Sequence, residues 1–306
     1  MKAILCTRWG PPEFLQLAEV PRPEPRKRQV RIRIVATAVT ASDCIARAMR
    51  APLRYRIVGK LLLGVRGPRR PIFGMVIAGV VDAIGREVTN FKPGDAVFGM
   101  SRWRPGSYAE YGCWSAKTPL VAKPDNLSYD EAAALPYGGL LACHLMRKAA
   151  ITPGQRVLVY GASGAIGTAT MQLARHFGAR VTGVCSTRNV ELVESLGAEA
   201  VIDYTADDFT KRSERYDLII DAVGRRKSAA ALVHAADALA PGGRSFSIDD
   251  DFPRFTLDDL LLVKRLAEAG ELVPVIDRRY PLEEMVAAHR YVEQGHKRGN
   301  VIVAVG

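Results

Sequence analysis

A glycine-rich turn between a strand and a helix is the feature that most constrains this chain. The apolar run Arg156–Tyr160 predicts a strand, the next residues are Gly-Ala-Ser-Gly-Ala-Ile-Gly, and an amphipathic helix follows. Such a turn lets the backbone approach a pyrophosphate, and the helix N-terminus offers free N–H groups. We interpret it as a dinucleotide site, the alternative being a turn with a purely structural role. The predicted contacts are Gly161, Ser163, Gly164, Ala165, Ile166 and Gly167.

Strands and helices alternate after residue 122, which predicts a parallel, doubly wound α/β sheet. Ser128 and Glu131 form a predicted capping box before a helix that reaches about Ala149. The predicted strands are Arg156–Tyr160, Arg180–Cys185, Ala200–Asp203, Leu218–Asp221 and Arg244–Ile248. The helices predicted after them are Ala165–Phe177, Val190–Leu196, Ser228–Leu239, Leu257–Ala269 and Leu282–Glu293, and a strand at Asn300–Val305 ends the chain.

The first 120 residues instead indicate a compact β-rich domain. Val30–Val35 alternates apolar with basic residues, which is typical of a half-buried strand. Val76–Ile84 is almost continuously apolar, and Gly94-Asp95 turns the chain into a further strand at Ala96–Phe98. Two domains of different class are therefore expected.

The end of the second strand of the doubly wound sheet decides which nicotinamide cofactor binds. A carboxylate there would hydrogen-bond the ribose hydroxyls and repel a 2'-phosphate. Ser186, Thr187 and Arg188 stand there instead, and hydroxyls with a guanidinium suit a phosphate. The alternative, in which the hydroxyls cap the next helix and Arg188 is exposed, is compatible with this role. The sequence therefore predicts NADP(H).

Several motifs occur in an order found in one family. They are Phe91–Asp95, Gly106–Tyr111, Ala132–Pro136, the glycine turn, and Ser195–Ala198 leading to Asp203-Tyr204. Together they resemble the medium-chain dehydrogenase/reductase superfamily, and most of all its zinc-free quinone oxidoreductase and enone reductase branch. The resemblance implies a GroES-like catalytic domain over 1–122 and 271–306 and a Rossmann NADP(H)-binding domain over 123–270. It also implies that Tyr204 lies beside the 2'-phosphate, and that Val223 and Gly224 line the path toward the nicotinamide.

Metal ligands can be tested on the same motifs. Zinc-dependent relatives of this family have an early cysteine and a Gly-His-Glu motif, because catalytic zinc takes three or four N, S or O ligands. Thr40 begins the first element here, and Gly74-Met75-Val76 replaces the second. All five histidines lie after residue 140. We therefore expect a metal-free enzyme.

Without a metal, the plausible reaction is hydride transfer to an electron-poor carbon, with hydrogen-bond donors stabilising an enolate or quinol. The substrate would be a small electrophile, either an α,β-unsaturated carbonyl or a quinone. The candidate catalytic residues are Thr40, Tyr55 and Tyr137, with Arg56 and Tyr108 as further donors. Thr40 stands where the family has an asparagine, and Asp43 is interpreted as a helix or turn cap. Packing remains an alternative for each tyrosine.

A segment that the family usually has after Ile248 is missing. The chain passes through Asp249-Asp250-Asp251 directly to the helix that follows Thr256. We therefore expect a sheet with fewer strands than six, and either a monomer or a dimer built through a surface other than the sheet edge. The three aspartates either protect that edge or form a solvated turn. Departures at Thr40, Leu141 and Asn300 keep a catalytically weakened sensor protein as an alternative.

The charge distribution is uneven. The formal net charge is +11, and the excess lies in the first 120 residues. Arg47–Arg70 contains eight basic residues and no acidic one, which suits an anionic ligand, a membrane surface or simply a solvated face. Nucleic acid is not an expected partner. The five scattered cysteines and the absence of a signal peptide or a long apolar run predict a cytoplasmic protein.

Overall fold

The fold is taken from a computed structural model that describes residues 1–49, 63–101, 105–225, 228–229 and 233–306. Tyr55, Arg56 and most of the basic segment Arg47–Arg70 lie outside these described residues.

Fourteen strands and six α-helices span the described residues. The strands are β1 Lys2–Cys6, β2 Leu15–Glu19, β3 Gln29–Val39, β4 Val76–Ile84, β5 Ala96–Met100, β6 Tyr111–Ser115, β7 Leu120–Ala122, β8 Arg156–Tyr160, β9 Arg180–Cys185, β10 Ala200–Asp203, β11 Tyr216–Asp221, β12 Leu239–Ser247, β13 Ile276–Pro281 and β14 Asn300–Ala304. The helices are α1 Ala41–Ala48, α2 Tyr129–Ala149, α3 Ala165–His176, α4 Val190–Ser195, α5 Leu257–Glu268 and α6 Met285–Glu293.

The chain divides into two compact units. The first comprises Met1–Pro136 and Ile276–Gly306, and the second comprises Tyr137–Val275. The boundaries expected from the sequence lie after residues 122 and 270. The first boundary lies later in the structure because helix α2 packs closely with the second unit from this point: a Cβ on Gly138 would overlap the Ala165 carbonyl, and one on Gly139 would overlap the side chain of Val263.

The first unit is built on a seven-stranded sheet with the order β13-β14-β3-β4-β5-β7, in which β6 also pairs with β3. The C-terminal strand β14 pairs antiparallel with β3, so the end of the chain completes the sheet formed by its beginning. One face buries Val30, Ile32 and Ile34 against Ile77 and Trp114. The alternation of apolar and basic residues in β3 therefore reports a half-buried strand, as the sequence predicts.

The second unit contains a five-stranded, wholly parallel sheet with the order β10-β9-β8-β11-β12. This confirms the doubly wound α/β fold. It also confirms the expected shortage of strands among the described residues. The sheet has its switch point between β8 and β11, where crossovers leave in opposite directions. In open α/β sheets the carboxyl ends of such strands are the usual place for a ligand.

One helix prediction is wrong in its second half. Residues 235–238 of the predicted helix Ser228–Leu239 form a 3-10 turn, and β12 begins at Leu239. Pairing of Leu239 with Tyr216 of β11 overrides the helical preference of the alanine-rich run. Residues 230–232 of that prediction lie outside the described part of the chain.

No helix in the described ranges is long and apolar enough to cross a membrane. All five cysteines carry free thiols.

Candidate functional site

The glycine turn joins β8 to α3. Two of its glycines are required by close contacts, and the third leaves open space. Gly161 has φ +77°, and a Cβ there would overlap the side chain of Val223. A Cβ on Gly167 would overlap the carbonyl of Gly161. Gly164 is open by contrast: its φ is −80°, and a Cβ would meet only the Gly161 oxygen at 3.5 Å. The outer two glycines therefore close the turn, while Gly164 leaves room for a ligand.

Helix α3 starts at this turn without a side-chain cap. Gly164 is the N-cap residue and carries no side chain that accepts from the first turn. The N–H groups of Ala165, Ile166 and Gly167 have no intrahelical acceptor by helix geometry. They are free to bind an anion, and the helix dipole favours one.

The loop after β9 lies beside this turn. Ser186 precedes the 3-10 turn Thr187–Asn189, with Thr187 and Arg188 exposed. Asn189 is only 5% exposed, and its Nδ2 donates to Ser163 Oγ at 3.1 Å and to Ser186 Oγ at 3.0 Å. The structure thus joins the glycine turn to the predicted 2'-phosphate loop. Asn189 is not among the contacts predicted from the sequence, where its polar side chain is the only sign of a role at the site.

A carboxylate from the third strand also reaches this loop. Asp203 at the end of β10 accepts hydrogen bonds from the backbone N–H and the hydroxyl of Thr205 at 2.9 and 2.7 Å. The Thr205 hydroxyl lies 2.8 Å from that of Thr187. Hydrogen bonds from Thr187 and Thr205 hold the pKa of Asp203 below its usual range, so it is ionised at neutral pH. This charge lies at the end of the third strand, whereas the residues predicted to select the cofactor lie at the end of the second.

Tyr204 follows Asp203 and is 49% exposed. Its ring lies 6.3 Å from that of Tyr160, and its N–H donates to the Cys185 carbonyl at 3.0 Å. The structure therefore holds Tyr204 at the carboxyl ends of β8 and β9. This is the edge of the sheet where its predicted role beside the adenosine would place it.

A buried aspartate shapes the loop of Val223 and Gly224. Asp221, the last residue of β11, accepts from the N–H groups of Val223 and Gly224 at 2.9 and 3.1 Å. Its second oxygen accepts from the hydroxyls of Ser228 and Ser247 at 2.7 and 2.8 Å. Four donors on one carboxylate fix the turn that the resemblance places near the nicotinamide.

Hydrogen bonds hold all three carboxylates of Asp249–Asp251 in place. Neither of the two interpretations from the sequence, protection of the sheet edge or a solvated turn, includes these bonds. Asp249 accepts from the Arg225 N–H at 3.0 Å, and its Oδ1 lies 2.7 Å from the Ser247 hydroxyl oxygen, whose single proton is donated to Asp221. Asp250 accepts from the Ser247 N–H at 2.9 Å, and Asp251 lies 2.8 Å from His144 Nε2 on α2. The short connection after β12 therefore ties the 221–225 loop to helix α2.

The proposed catalytic residue Thr40 lies in the first unit and is 3% exposed. It is the N-cap of α1 in a complete capping box with Asp43. Its hydroxyl donates to Asp43 Oδ2 at 2.6 Å and accepts from the Asp43 N–H at 3.1 Å. The hydroxyl proton is thus committed to Asp43, in agreement with the interpretation of Asp43 as a cap.

Tyr137 is the first residue of the second unit and is 6% exposed. The next residue, Gly138, approaches the start of α3 so closely that a Cβ would overlap the Ala165 carbonyl. Tyr137 therefore stands on the segment of α2 that packs against the glycine turn. Tyr55 lies outside the described residues, so the structure does not place it.

Around Thr40 the first unit buries a polar cluster. Desolvation raises the pKa of Asp43 to about 6 and raises the pKa of Tyr108 well above its usual range. Burial, with the nearby Arg47, lowers the pKa of His289 to about 3. The Cys44 sulfur lies 3.3 Å from His289 Nδ1. Among the described residues, no group of three or more His, Cys, Asp and Glu side chains is arranged to hold a metal ion.

Comparisons with known proteins agree with this architecture. Residues 26–125 match the alcohol dehydrogenase GroES-like domain, and residues 196–303 match a family described as zinc-binding dehydrogenase. The chain is 33% identical to 2-methylene-furan-3-one reductase of Solanum lycopersicum, over 99% of this chain and 79% of that one. It is 30% identical to the quinone oxidoreductase of Sus scrofa, over 98% and 95%.

Solved structures give the same result. The quinone oxidoreductase from Coxiella burnetii superposes with a TM-score of 0.84 and 30% identity, covering 100% of this chain and 99% of that one. A nicotinamide-dependent oxidoreductase built from a GroES-like domain and a Rossmann-type sheet is the class that fold and site define. The chain belongs to the medium-chain dehydrogenase/reductase superfamily, in its zinc-free quinone and enone reductase branch.

Proposed function

We propose that this protein is an NADPH-dependent reductase of the carbon–carbon double bond in α,β-unsaturated carbonyls, or of quinones. The observation that carries the proposal is similarity along nearly the whole chain to relatives named for those substrates. A relative from Arabidopsis thaliana, 30% identical, is named NADPH-dependent alkenal/one oxidoreductase. The substrate is accordingly a small electrophilic molecule.

The choice of NADPH rests on the loop after β9. Ser186 is half-buried and Arg188 is exposed, and a hydroxyl together with a guanidinium suits a 2'-phosphate. Gly164 leaves space for the pyrophosphate, and the start of α3 offers N–H donors to it. We assign the cofactor contacts to Gly161, Ser163, Gly164, Ala165, Ile166, Gly167, Ser186, Thr187, Arg188, Tyr204, Val223 and Gly224.

NADPH held by these residues would supply the hydride for the β-carbon of an enone, with the electron pair of the double bond moving to the carbonyl oxygen. The role of the chain would be to stabilise the resulting enolate until water protonates its α-carbon. Because Thr40 donates its proton to Asp43, we assign the donor roles to the hydroxyls of Tyr137 and Tyr55, with Arg56 and Tyr108 as further candidates. Asp221 contributes indirectly, because it holds the 221–224 turn in one shape.

The decisive experiment combines turnover with product analysis. Purified protein is mixed with NADPH and a panel of alkenals, alkenones and quinones, and the products are identified by mass spectrometry and NMR. We expect saturated carbonyls from enones, with no loss of activity after chelation. An allylic alcohol as the main product would contradict this mechanism. Cofactor binding without turnover of any panel member would favour a sensor protein instead.

We further propose that the protein is a monomer, or a dimer that does not pair its β12 edges. Among the described residues, β12 pairs with β11 alone, and the strand carries Pro241 and two glycines. Proline cannot donate to a strand partner, and glycine weakens a strand. Light scattering with a crystal structure tests this: a dimer with continuous pairing through β12 would reject it.

For the compartment we propose the cytoplasm. Burial raises the pKa of Cys6 and Cys113 to about 11 and of Cys143 to about 12, which keeps these free thiols protonated. They suit a reducing environment. Fractionation of cells that express the chain with an epitope tag tests the assignment, and recovery with an organelle would overturn it.

A further inference from the structure

We propose that Asn189 is a positioning residue that prepares both phosphate-binding ends of the cofactor site. By donating to Ser163 and Ser186 together, its amide leaves both serine protons available to phosphate oxygens. This inference rests on the proposed NADPH-dependent function, and it adds a residue that acts through the two serines rather than touching the cofactor itself.

The hydrogen bonds of the Asn189 side chain support this role. Nδ2 has two protons and donates one to Ser163 Oγ at 3.1 Å and the other to Ser186 Oγ at 3.0 Å. Each serine oxygen therefore acts as an acceptor. Within the described residues neither serine hydroxyl has another hydrogen-bond partner, so each retains an O–H donor to give.

The two serines serve different parts of the site. Ser163 lies inside the glycine turn, next to the uncapped start of α3. Ser186 precedes the 3-10 turn that carries Arg188, and its partner Asn189 lies 26 residues after Ser163 in the chain. One buried amide thus connects the expected diphosphate site with the expected 2'-phosphate site.

The ordinary reason for an asparagine at this position does not apply. Asn189 is the N-cap residue of α4, where an asparagine oxygen usually accepts from the first helical turn, yet its side chain makes no capping bond. Asn189 is only 5% exposed, and its Oδ1 has no hydrogen-bond partner among the described residues. The amide is therefore turned toward the serines although this leaves its oxygen unpaired.

The opposite orientation of the amide would defeat phosphate binding. If Oδ1 faced the serines, it would accept both hydroxyl protons and leave only oxygen lone pairs to face the ligand. Phosphate oxygens are acceptors, so they need the protons. The observed orientation is the one that suits an anionic ligand at both ends.

The experiment compares three probes on the full-length protein by calorimetry: 5'-AMP, ADP, and adenosine 2',5'-bisphosphate. Each affinity is expressed relative to that of 5'-AMP. Ser186→Ala should lower only the affinity for the bisphosphate, and Ser163→Ala only the affinity for ADP, each about five- to tenfold. Asn189→Ala should lower the affinities for both probes by similar factors. The double variant N189A/S186A should bind the bisphosphate no more weakly than S186A alone, because the amide acts through that hydroxyl.

Gln172→Ala is the matched control. Gln172 is another buried amide of the second unit, bonded to the Thr168 and Val273 carbonyls at 3.0 and 3.2 Å and contacting neither serine. It should lower thermal stability without changing the ratios between probes. If N189A folds and binds all three probes like the parent, the proposal is overturned.

Two further outcomes keep the test decisive. If N189A does not fold, the half-buried serines are tested alone, and unchanged binding in both serine variants overturns the proposal. Equal binding of 5'-AMP and the bisphosphate by the parent protein would reject the NADPH assignment. The ADP arm, through Ser163, would then still support or overturn the role of Asn189.

Discussion

The two units of this protein use hydroxyl groups in opposite ways. In the first unit, Thr40 is buried and gives its proton to Asp43 in a capping box. In the second unit, the hydroxyl oxygens of Ser163 and Ser186 accept from Asn189, so both hydroxyls can still donate a hydrogen bond at the carboxyl ends of the parallel strands. The same chemical group is a structural element in one place and a prepared donor in the other.

This difference shows why residue type alone is a weak guide to a site. The position of Thr40 in a family motif suggests a catalytic role. In the structure its hydroxyl donates to the Asp43 carboxylate and accepts from the Asp43 N–H. Ser163 and Ser186 are predicted cofactor contacts by their positions in the sequence. The structure adds that both hydroxyl oxygens accept from Asn189, which leaves their protons available.

The strongest test of the second unit is Gly167→Ala. Its Cβ would overlap the Gly161 carbonyl, so we expect the unfolding free energy to fall by about 3 kcal/mol. Gly164→Ala is the matched control, because its Cβ meets only ordinary contact at 3.5 Å. Urea unfolding should show parent-like stability for G164A, whereas its NADPH affinity drops about tenfold. Full affinity in G164A would mean that the cofactor does not approach this turn.

The buried cluster of the first unit is tested by pH. Burial raises the pKa of Asp43 to about 6, compared with about 3.9 for an unperturbed carboxyl. The folded state then holds a proton that the unfolded state has lost, so this group's contribution to stability declines as pH rises from about 4 to about 6.

Asp43→Asn removes that titration. We expect the difference in unfolding free energy between parent and variant to change by about 3 kcal/mol over this window, with the parent losing stability relative to the variant as pH rises. Urea unfolding at several pH values measures it. His289, with its pKa lowered to about 3, stabilises in the opposite direction, but it is present in both proteins and cancels. A pH-independent difference would show that Asp43 titrates normally.

Arg188→Ala should lower the preference for NADPH over NADH about ten- to a hundredfold, because a charge-assisted contact with the 2'-phosphate is lost. Arg156→Ala is the control, since Arg156 is an arginine at the opposite end of β8, paired with Asp217 at 3.6 Å. Fluorescence titration of both cofactors measures the ratio. Equal affinities in the parent protein would end the NADPH assignment.

The smallest effect is expected from Asp203→Asn. The ionised carboxylate lies beside the Thr187 and Thr205 hydroxyls, near the loop proposed to bind a 2'-phosphate. Removing this half-buried charge should strengthen NADPH binding roughly two- to threefold and leave NADH binding unchanged. Weaker NADPH binding would mean that Asp203 orders the loop more than it repels the phosphate.

Local patterns predicted most of the second unit. The bounds of β8, β9 and β10 are those that apolar runs and flanking glycines indicate. The Ser128–Glu131 capping box forms as expected, with bonds of 2.8 and 3.3 Å. Such features depend on neighbours a few residues apart, so the sequence displays them directly. The alanine-rich segment before β12 is different, because strand pairing with β11 decided its conformation.

The sequence by itself determined the two kinds of domain and the glycine turn, because backbone sterics and the periodicity of apolar residues carry that information. The shortened sheet was expected from the resemblance to the family, which usually has a further segment after Ile248. Only the tertiary structure brought Asn189 to Ser163, Asp203 to Thr187, and Asp249 to the 221–225 loop. Parallel strands collect residues from distant parts of the chain at one edge of the sheet, and hydrogen bonding there decides which polar groups stay available.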